Sequence, residues 1–314
     1  MGDGLLAIGL TTLDILARPV DALPAPDTTA LVEQILLAPA GTAAGAALVA
    51  ARLGMKTALA SCVGADAAGR LVRAELAAAG VDVTLLATAP IGTTSITILP
   101  INSAGQRPNL HALGAGGLVQ DSPALRQAAA NAGFVHFAAV GAAGLEAGAD
   151  AALLKRAREG GAFITCDLIS PRRGVMERLR TLLPYVDVFL PNAAEARFLS
   201  GREDLIEAGR ALIDLGAAAC VFTDGAQGSL LVDADGVRRF AAHSITPVDT
   251  TSCGDSYCAG LIAALDRGWP LDDACRLATA VSALVAQGLG TLGALTGFNA
   301  AERLMRHGAA GAAA

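Results

Sequence analysis

The densest chemistry in the chain lies in Asp249-Thr250-Thr251-Ser252-Cys253-Gly254-Asp255-Ser256-Tyr257-Cys258-Ala259-Gly260. This stretch follows an extended run, 242–248, and opens a helix that the spacing carries to about Asp266. Ser252, Cys253 and Gly254 are small, so the first backbone N–H groups of that helix stay uncovered. Free N–H groups at the positive end of a helix dipole attract anions, phosphate among them. Asp255 stands in the same first turn, an acceptor-only carboxylate beside the place a phosphoryl group would take. One reading makes it a general base on a substrate hydroxyl, with the N–H cradle neutralising charge that builds during transfer. The plainer reading is an aspartate capping an ordinary helix. Two threonines, three small residues and a second aspartate in one stretch favour the first.

Other signals carry less. Pro191-Asn192-Ala193-Ala194-Glu195 follows an apolar run and, taken alone, reads as a helix cap with its first-turn acid. Gly288-Leu289-Gly290-Thr291-Leu292-Gly293 is a literal G-x-G-x-x-G, but a helix precedes it and the chain ends at Ala314. A dinucleotide site needs a strand before, a helix after and an acid about 20 residues on. The only lysines are Lys56 and Lys155, and neither follows a glycine, so no Walker A loop exists. His111, His136, His243 and His307 lack metal spacing, and His136 reads as a hydrogen-bonded core residue of an apolar strand. The six cysteines form no C-x-x-C pair and read as reduced, mostly buried thiols of a cytosolic protein.

The stretch from Asp249 to Gly260 resembles the C-terminal signature of the ribokinase-like (PfkB-type) carbohydrate kinases. Four more segments resemble that family's motifs in family order: 40–54, Val63-Gly64-Ala65-Asp66-Ala67-Ala68-Gly69, Pro191–Glu195 and Thr223-Asp224-Gly225-Ala226-Gln227-Gly228. The resemblance spans essentially the whole chain. It implies ATP-dependent transfer of a phosphoryl group to a hydroxymethyl group of a sugar or sugar-like substrate. It makes Asp255 the base and the backbone of Ser252, Cys253 and Gly254 the anion hole. It assigns Asp14, Gly41, Thr42 and Gly45 to the substrate, and Asn192, Thr223, Gly225 and Gly228 to the nucleotide. Glu195 and Asn192 would hold Mg2+ through water, since magnesium keeps much of its hydration. Asp249 and Thr251 match positions that take a monovalent cation, K+, in some members. A homodimer formed through the lid is expected as well.

Three departures from the family pattern bear on these assignments. Ser252 replaces a glycine of the anion-hole loop. Asp167-Leu168-Ile169-Ser170-Pro171-Arg172 keeps the acid of a D-x-N-x-R motif but not its amide. Gly45 replaces an asparagine that reads the sugar, which leaves room for a bulkier group and shifts the expected substrate away from ribose. Two rivals stay open: a nucleoside kinase of adenosine or pseudouridine type, and a non-catalytic sugar-binding sensor. The absence of aromatic residues from 11–112 weakens the first, and the intact Asp255 and Gly254 weaken the second.

Elements must position these residues, and their pattern is strand, loop, helix, repeated. Apolar runs at 5–10, 57–62, 134–139, 162–167, 186–190 and 218–223 read as strands; alanine-rich stretches at 44–53, 67–79, 145–160 and 204–215 read as helices. Such alternation predicts a three-layer α/β/α sandwich with a mostly parallel sheet. Residues 11–40 and 88–112 break the rhythm and read as a small β-sheet lid. The core is then 1–10, 41–87 and 113–308, with a frayed tail at 309–314. The 314 residues, 53% hydrophobic and 17% charged, can fill such a core. A net charge of -6 argues against nucleic-acid partners. The uncharged stretch 277–301 is broken by glycines and reads as a buried helix rather than a membrane span. The first residues lack a basic n-region, so a cytoplasmic protein without a signal peptide is expected.

Overall fold

The structure is a computed structural model that describes residues 2–140, 148–168 and 174–308. Its strands are β1 (Leu5–Gly9), β2 (Thr12–Arg18), β3 (Gln34–Ala40), β4 (Thr57–Gly64), β5 (Val81–Asp82), β6 (Leu86–Ala89) and β7 (Ile96–Pro100). They continue as β8 (Leu110–Ala112), β9 (Phe134–Val140), β10 (Phe163–Leu168), β11 (Val188–Phe189), β12 (Ala219–Thr223), β13 (Ser229–Asp233) and β14 (Gly236–Phe240). The α-helices are α1 (Thr42–Arg52), α2 (Ala67–Ala78), α3 (Pro123–Asn131), α4 (Ala149–Glu159) and α5 (Val175–Leu182). The rest are α6 (Ala193–Ser200), α7 (Leu205–Ile213), α8 (Cys253–Asp266), α9 (Leu271–Val285) and α10 (Phe298–His307).

The main sheet runs β14-β13-β12-β11-β10-β9-β1-β4-β5, with β6 also on β4. It is parallel from β12 through β4, and the β12–β13–β14 edge is antiparallel. Both faces are covered. Helices α3 to α7 pack on one face over Phe137, Phe189 and Phe222; α1, α8, α9 and α10 cover the other. Each of those fully buried rings contributes about 2–3 kcal/mol of burial free energy. Strand β1 is buried along its whole length, as an interior parallel strand must be. It pairs with β4 on one side and β9 on the other, so the chain leaves β1 in both directions. In open α/β sheets ligands gather at the carboxyl ends of strands at such a switch point.

The expected lid forms a four-stranded sheet, β3-β2-β7-β8. Asp66 ties it to the core. As N-cap of α2 it accepts from Gly69 N at 2.8 Å, and it also accepts Thr94 N at 2.8 Å and Thr94 Oγ1 at 2.6 Å at the root of β7. Its expected boundary needs correction. Thr88 and Ala89 belong to β6, which pairs in parallel with Val63 and Gly64 of the main sheet, so the core continues past residue 87. The strand expected over 186–190 shortens to two residues because a helical turn, Leu183–Tyr185, precedes it. The helix expected from 44 begins two residues earlier, at Thr42, because Gly41 takes the N-cap with φ +98°. The long uncharged stretch is α9 followed by glycine turns; no described helix is long and apolar enough to cross a membrane. The tail at 309–314, the first residues of the helix expected at 145–160 and Ile169–Arg172 lie outside the described residues.

Candidate active site

Helix α8 sets the site. It lies against α9 at close range: a Cβ on Gly260 would stand 2.9 Å from Ala278 Cα. That crossing fixes the N-terminus of α8. Ser252, its N-cap, adopts φ +55°, the left-handed conformation the expected glycine would take freely. A serine there costs about 1 kcal/mol, and its hydroxyl favours the charged form of Asp255. Among the described residues the backbone N–H groups of Gly254 and Asp255 have no hydrogen-bond partner. A Cβ on Gly254 would meet nothing within 4 Å, so this helix start opens into a free cleft. Ser256 and Ser282 hydroxyls both donate to Cys253 O and hold the turn. Burial pushes the Cys253 thiol up to about 12, which keeps it in the un-ionised form near neutral pH.

Asp255 is half-buried and its carboxyl is pushed up from 3.8 to about 7. Burial is the main cause. The Ser252 hydroxyl opposes it, the Asp14 charge adds to it, Arg107 opposes and Glu195 adds. Asp14 reaches the site from β2 of the lid, buried, accepting from Thr12 Oγ1 at 2.9 Å. Its carboxyl is also raised by burial, against the pull of Thr12, Thr97, Arg107 and His111. His111 Nδ1 stands 3.1 Å from Thr97 Oγ1 on an otherwise exposed strand. Acids from the core and the lid therefore face one cleft.

Asn192 and Glu195 form a capping box: Glu195 N donates to Asn192 Oδ1 and Asn192 N to Glu195 Oε2, each at 2.9 Å. The helix-cap reading is therefore correct. Burial raises the Glu195 carboxyl despite two bonds from Asn192. Asn192 also bridges Thr223 at the end of β12, so the two expected nucleotide residues meet. Asp167, the penultimate residue of β10, is buried, its carboxyl held far above the ordinary range by burial and by the charges of Glu195 and Asp255.

Several residues of the expected contacts also have structural roles. A Cβ on Gly45 would come 2.8 Å from Asp255 Oδ2, so the space read as room for substrate is taken by the base itself. Thr42 Oγ1 donates to Ala138 O at 2.8 Å, and a Cβ on Gly41 would lie 2.6 Å from Leu10 O. Gly228, at φ +86°, is pressed against the Phe240 carbonyl, whereas Gly225 is exposed and open. Asp249 is buried with its carboxylate engaged: Oδ1 accepts Thr251 N at 2.8 Å and Thr251 Oγ1 at 2.6 Å, and Oδ2 accepts Gly290 N at 2.9 Å. The glycine-rich 288–293 turn thus anchors the loop before α8. Arg107 escaped assignment. From the lid, its Nε donates to Thr250 Oγ1 and its Nη2 to Thr250 O, each at 3.1 Å, and Nε stands 3.9 Å from Asp249 Oδ1. A contact spanning 143 residues leaves no local signal beyond a lone arginine after a turn.

The pfkB family carbohydrate kinase profile matches residues 3–296. Aminoimidazole riboside kinase of Salmonella typhimurium is 32% identical over 259 residues, 79% of this chain and 79% of that enzyme. The structure of aminoimidazole riboside kinase from Salmonella enterica, with aminoimidazole riboside and an ATP analogue, superposes with a TM-score of 0.77 at 26% identity, covering 96% of this chain and 99% of that one. Arabidopsis thaliana ribokinase, complexed with ribose and ATP, shares the fold with a TM-score of 0.80 at 21% identity over 98% and 99% of the two chains. The chain belongs to the pfkB family of carbohydrate kinases, enzymes that transfer phosphate to a hydroxyl.

Proposed function

We propose that the chain phosphorylates the hydroxymethyl group of a pentose or a riboside from ATP, with Asp255 as general base. One observation carries this: a carboxylate raised to about 7 stands in the first turn of a helix whose N–H groups at 254 and 255 are free. The substrate oxygen attacks the γ-phosphorus, its proton passes to Asp255, and ADP leaves. The free N–H groups take the negative charge of the transferring group, so rate comes from positioning and electrostatics. Asp14 would accept from a second substrate hydroxyl. Thr223 and Gly225 would border the nucleotide. Similarity to a riboside kinase favours a base-bearing substrate within this reading. The experiment is a coupled ADP-release assay across pentoses, ketoses and ribosides; a uniform blank across that panel would remove the proposal.

Glu195 and Asn192 fit a hydrated Mg2+, because the capping box holds their oxygen donors together and Mg2+ selects oxygen. When bound, the ion would neutralise phosphate charge. Glu195→Gln keeps the capping box, since glutamine serves at that position. The Mg2+ concentration for half-maximal rate is expected to rise about tenfold or more, while Tm and sugar KM hold. An unchanged Mg2+ titration would leave Glu195 as a cap alone.

Ser252→Gly relieves the left-handed serine and removes the hydroxyl that lowers the Asp255 pKa. The acid limb of the kcat/KM pH profile should move to higher pH, because the base then needs a higher pH to ionise. A shift to lower pH, or none, would show that the hydroxyl does not reach the base. The K+ expectation gains no support from the Asp249 carboxylate, whose oxygens accept protein donors with Arg107 close by.

We read the lid as the dimer surface. Ile35, Leu37, Ile98 and Leu110 are exposed apolar residues of that sheet, while Leu16 and Leu99 face inward. A second copy would cover them.

A further inference from the structure

His136 on β9, Asp167 on β10 and Cys258 on α8 form a buried cluster, and phosphoryl transfer uses neither His136 nor Cys258. A ring nitrogen of His136, a carboxylate oxygen of Asp167 and Cys258 Sγ all lie within 4.8 Å of one another. Their bonding is incomplete. His136 Nδ1 is held at 2.9 Å by Thr165 Oγ1, whereas Nε2 is buried and, among the described residues, has no hydrogen-bond partner. Asp167 Oδ1 accepts Leu168 N at 2.7 Å. Asp167 Oδ2 faces the Cys258 thiol at 4.0 Å. A buried ring nitrogen left unbonded forfeits its hydration without return, and native structures seldom tolerate that without a reason. A core histidine with one bond accounts for Nδ1 and leaves Nε2 unexplained.

We infer that His136 Nε2, Cys258 Sγ and Asp167 Oδ2 form a Zn2+ site. Imidazole, thiolate and carboxylate together suit a borderline-soft ion, whereas Mg2+ selects oxygen donors. Zinc bonds of about 2.0–2.3 Å place ligand atoms roughly 3.3–3.8 Å apart, so a cluster spanning up to 4.8 Å must contract by at most about 1.5 Å. The outer contacts are already in place: Thr165 fixes the ring through Nδ1, and Leu168 N–H fixes Asp167. Three protein ligands leave a fourth position for water. Zinc takes Cys258 as thiolate and Asp167 as carboxylate, so any proton either carries passes to the buffer on binding. Cys258 lies one helical turn beyond Asp255, so the ion would tie α8 to the middle of the sheet. The proposal does not rest on the kinase reading.

The test uses the full chain after chelator treatment, with Co2+ as a spectroscopic probe. One equivalent is expected to bind and give a thiolate-to-metal charge-transfer band that Zn2+ abolishes by displacement. Zn2+ at a hundredfold excess over its Kd should raise Tm by about 5 °C, and millimolar Mg2+ should do neither. Cys258→Ser and His136→Gln should lose both the band and the rise. Cys253→Ser, which alters the one half-exposed thiol, should keep them. No band on the wild-type chain overturns the proposal, as does a band that survives in Cys258→Ser or vanishes in Cys253→Ser. If the two ligand variants do not fold, a one-equivalent band retained by both Cys253→Ser and Cys220→Ala supports the site, and its loss in either overturns it.

Discussion

Asp255→Asn is expected to lower kcat by about 10²–10⁴-fold with nucleotide affinity little changed, because the amide cannot take the hydroxyl proton. The same substitution should raise Tm, and the pH dependence of that gain is fixed by sign. Burial lifts the Asp255 pKa from 3.8 to about 7, so between those values the folded state holds a proton that the unfolded state has lost. Stability contributed by that proton is fully present below the unfolded value and is lost as pH rises through about 7. Asparagine carries no such dependence. The Tm advantage of the variant should therefore be small near pH 4, grow up to about pH 7 and level off above. Calorimetry across that range, with steady-state kinetics, checks both halves. A variant that is inactive but no more stable at pH 8 than at pH 4 would mean that Asp255 is not a strained buried acid.

Gly254→Val is the second large effect. A Cβ at 254 points into open space, so the folded core has no quarrel with it and Tm should move by no more than a degree or two. The same open space adjoins the free N–H groups of 254 and 255, so a branched side chain there should block approach of the phosphoryl group. Removing one such donor typically costs 10²–10³-fold in kcat, and blocking two should cost at least as much. Near-normal turnover by Gly254→Val would place the anion hole elsewhere.

These predictions concern the part of the molecule most legible in the sequence. The α8 segment was readable because its chemistry is local: small residues, an acid and a helix start are contiguous. The alternation of strands and helices was readable for the same reason, and the interior strand β1 is as apolar as a two-sided burial requires. What the sequence hid was set by contacts across the sheet. Strand β6 was divided between core and lid because nothing in Leu86–Ala89 reveals its parallel pairing with Ser61–Gly64. Gly45 looked like an absent substrate contact until α1 and α8 were seen to meet there. Arg107, and the trio His136, Asp167 and Cys258, are brought together only by tertiary packing, so spacing rules for ligands passed over them.

The central claim, transfer to a hydroxymethyl group under Asp255, is tested most directly by a matched pair of acceptors. One is a pentose or riboside from the assay panel that supports turnover, the other its 5-deoxy counterpart, each supplied with ATP and Mg2+ to wild type and to Asp255→Asn. The account predicts ADP release by wild type with the hydroxymethyl compound alone, in equal amount with a product phosphorylated at that carbon, and at least a hundredfold less from the variant. Equal ADP release with the 5-deoxy compound, or an Asp255→Asn rate within a few-fold of wild type, would contradict it.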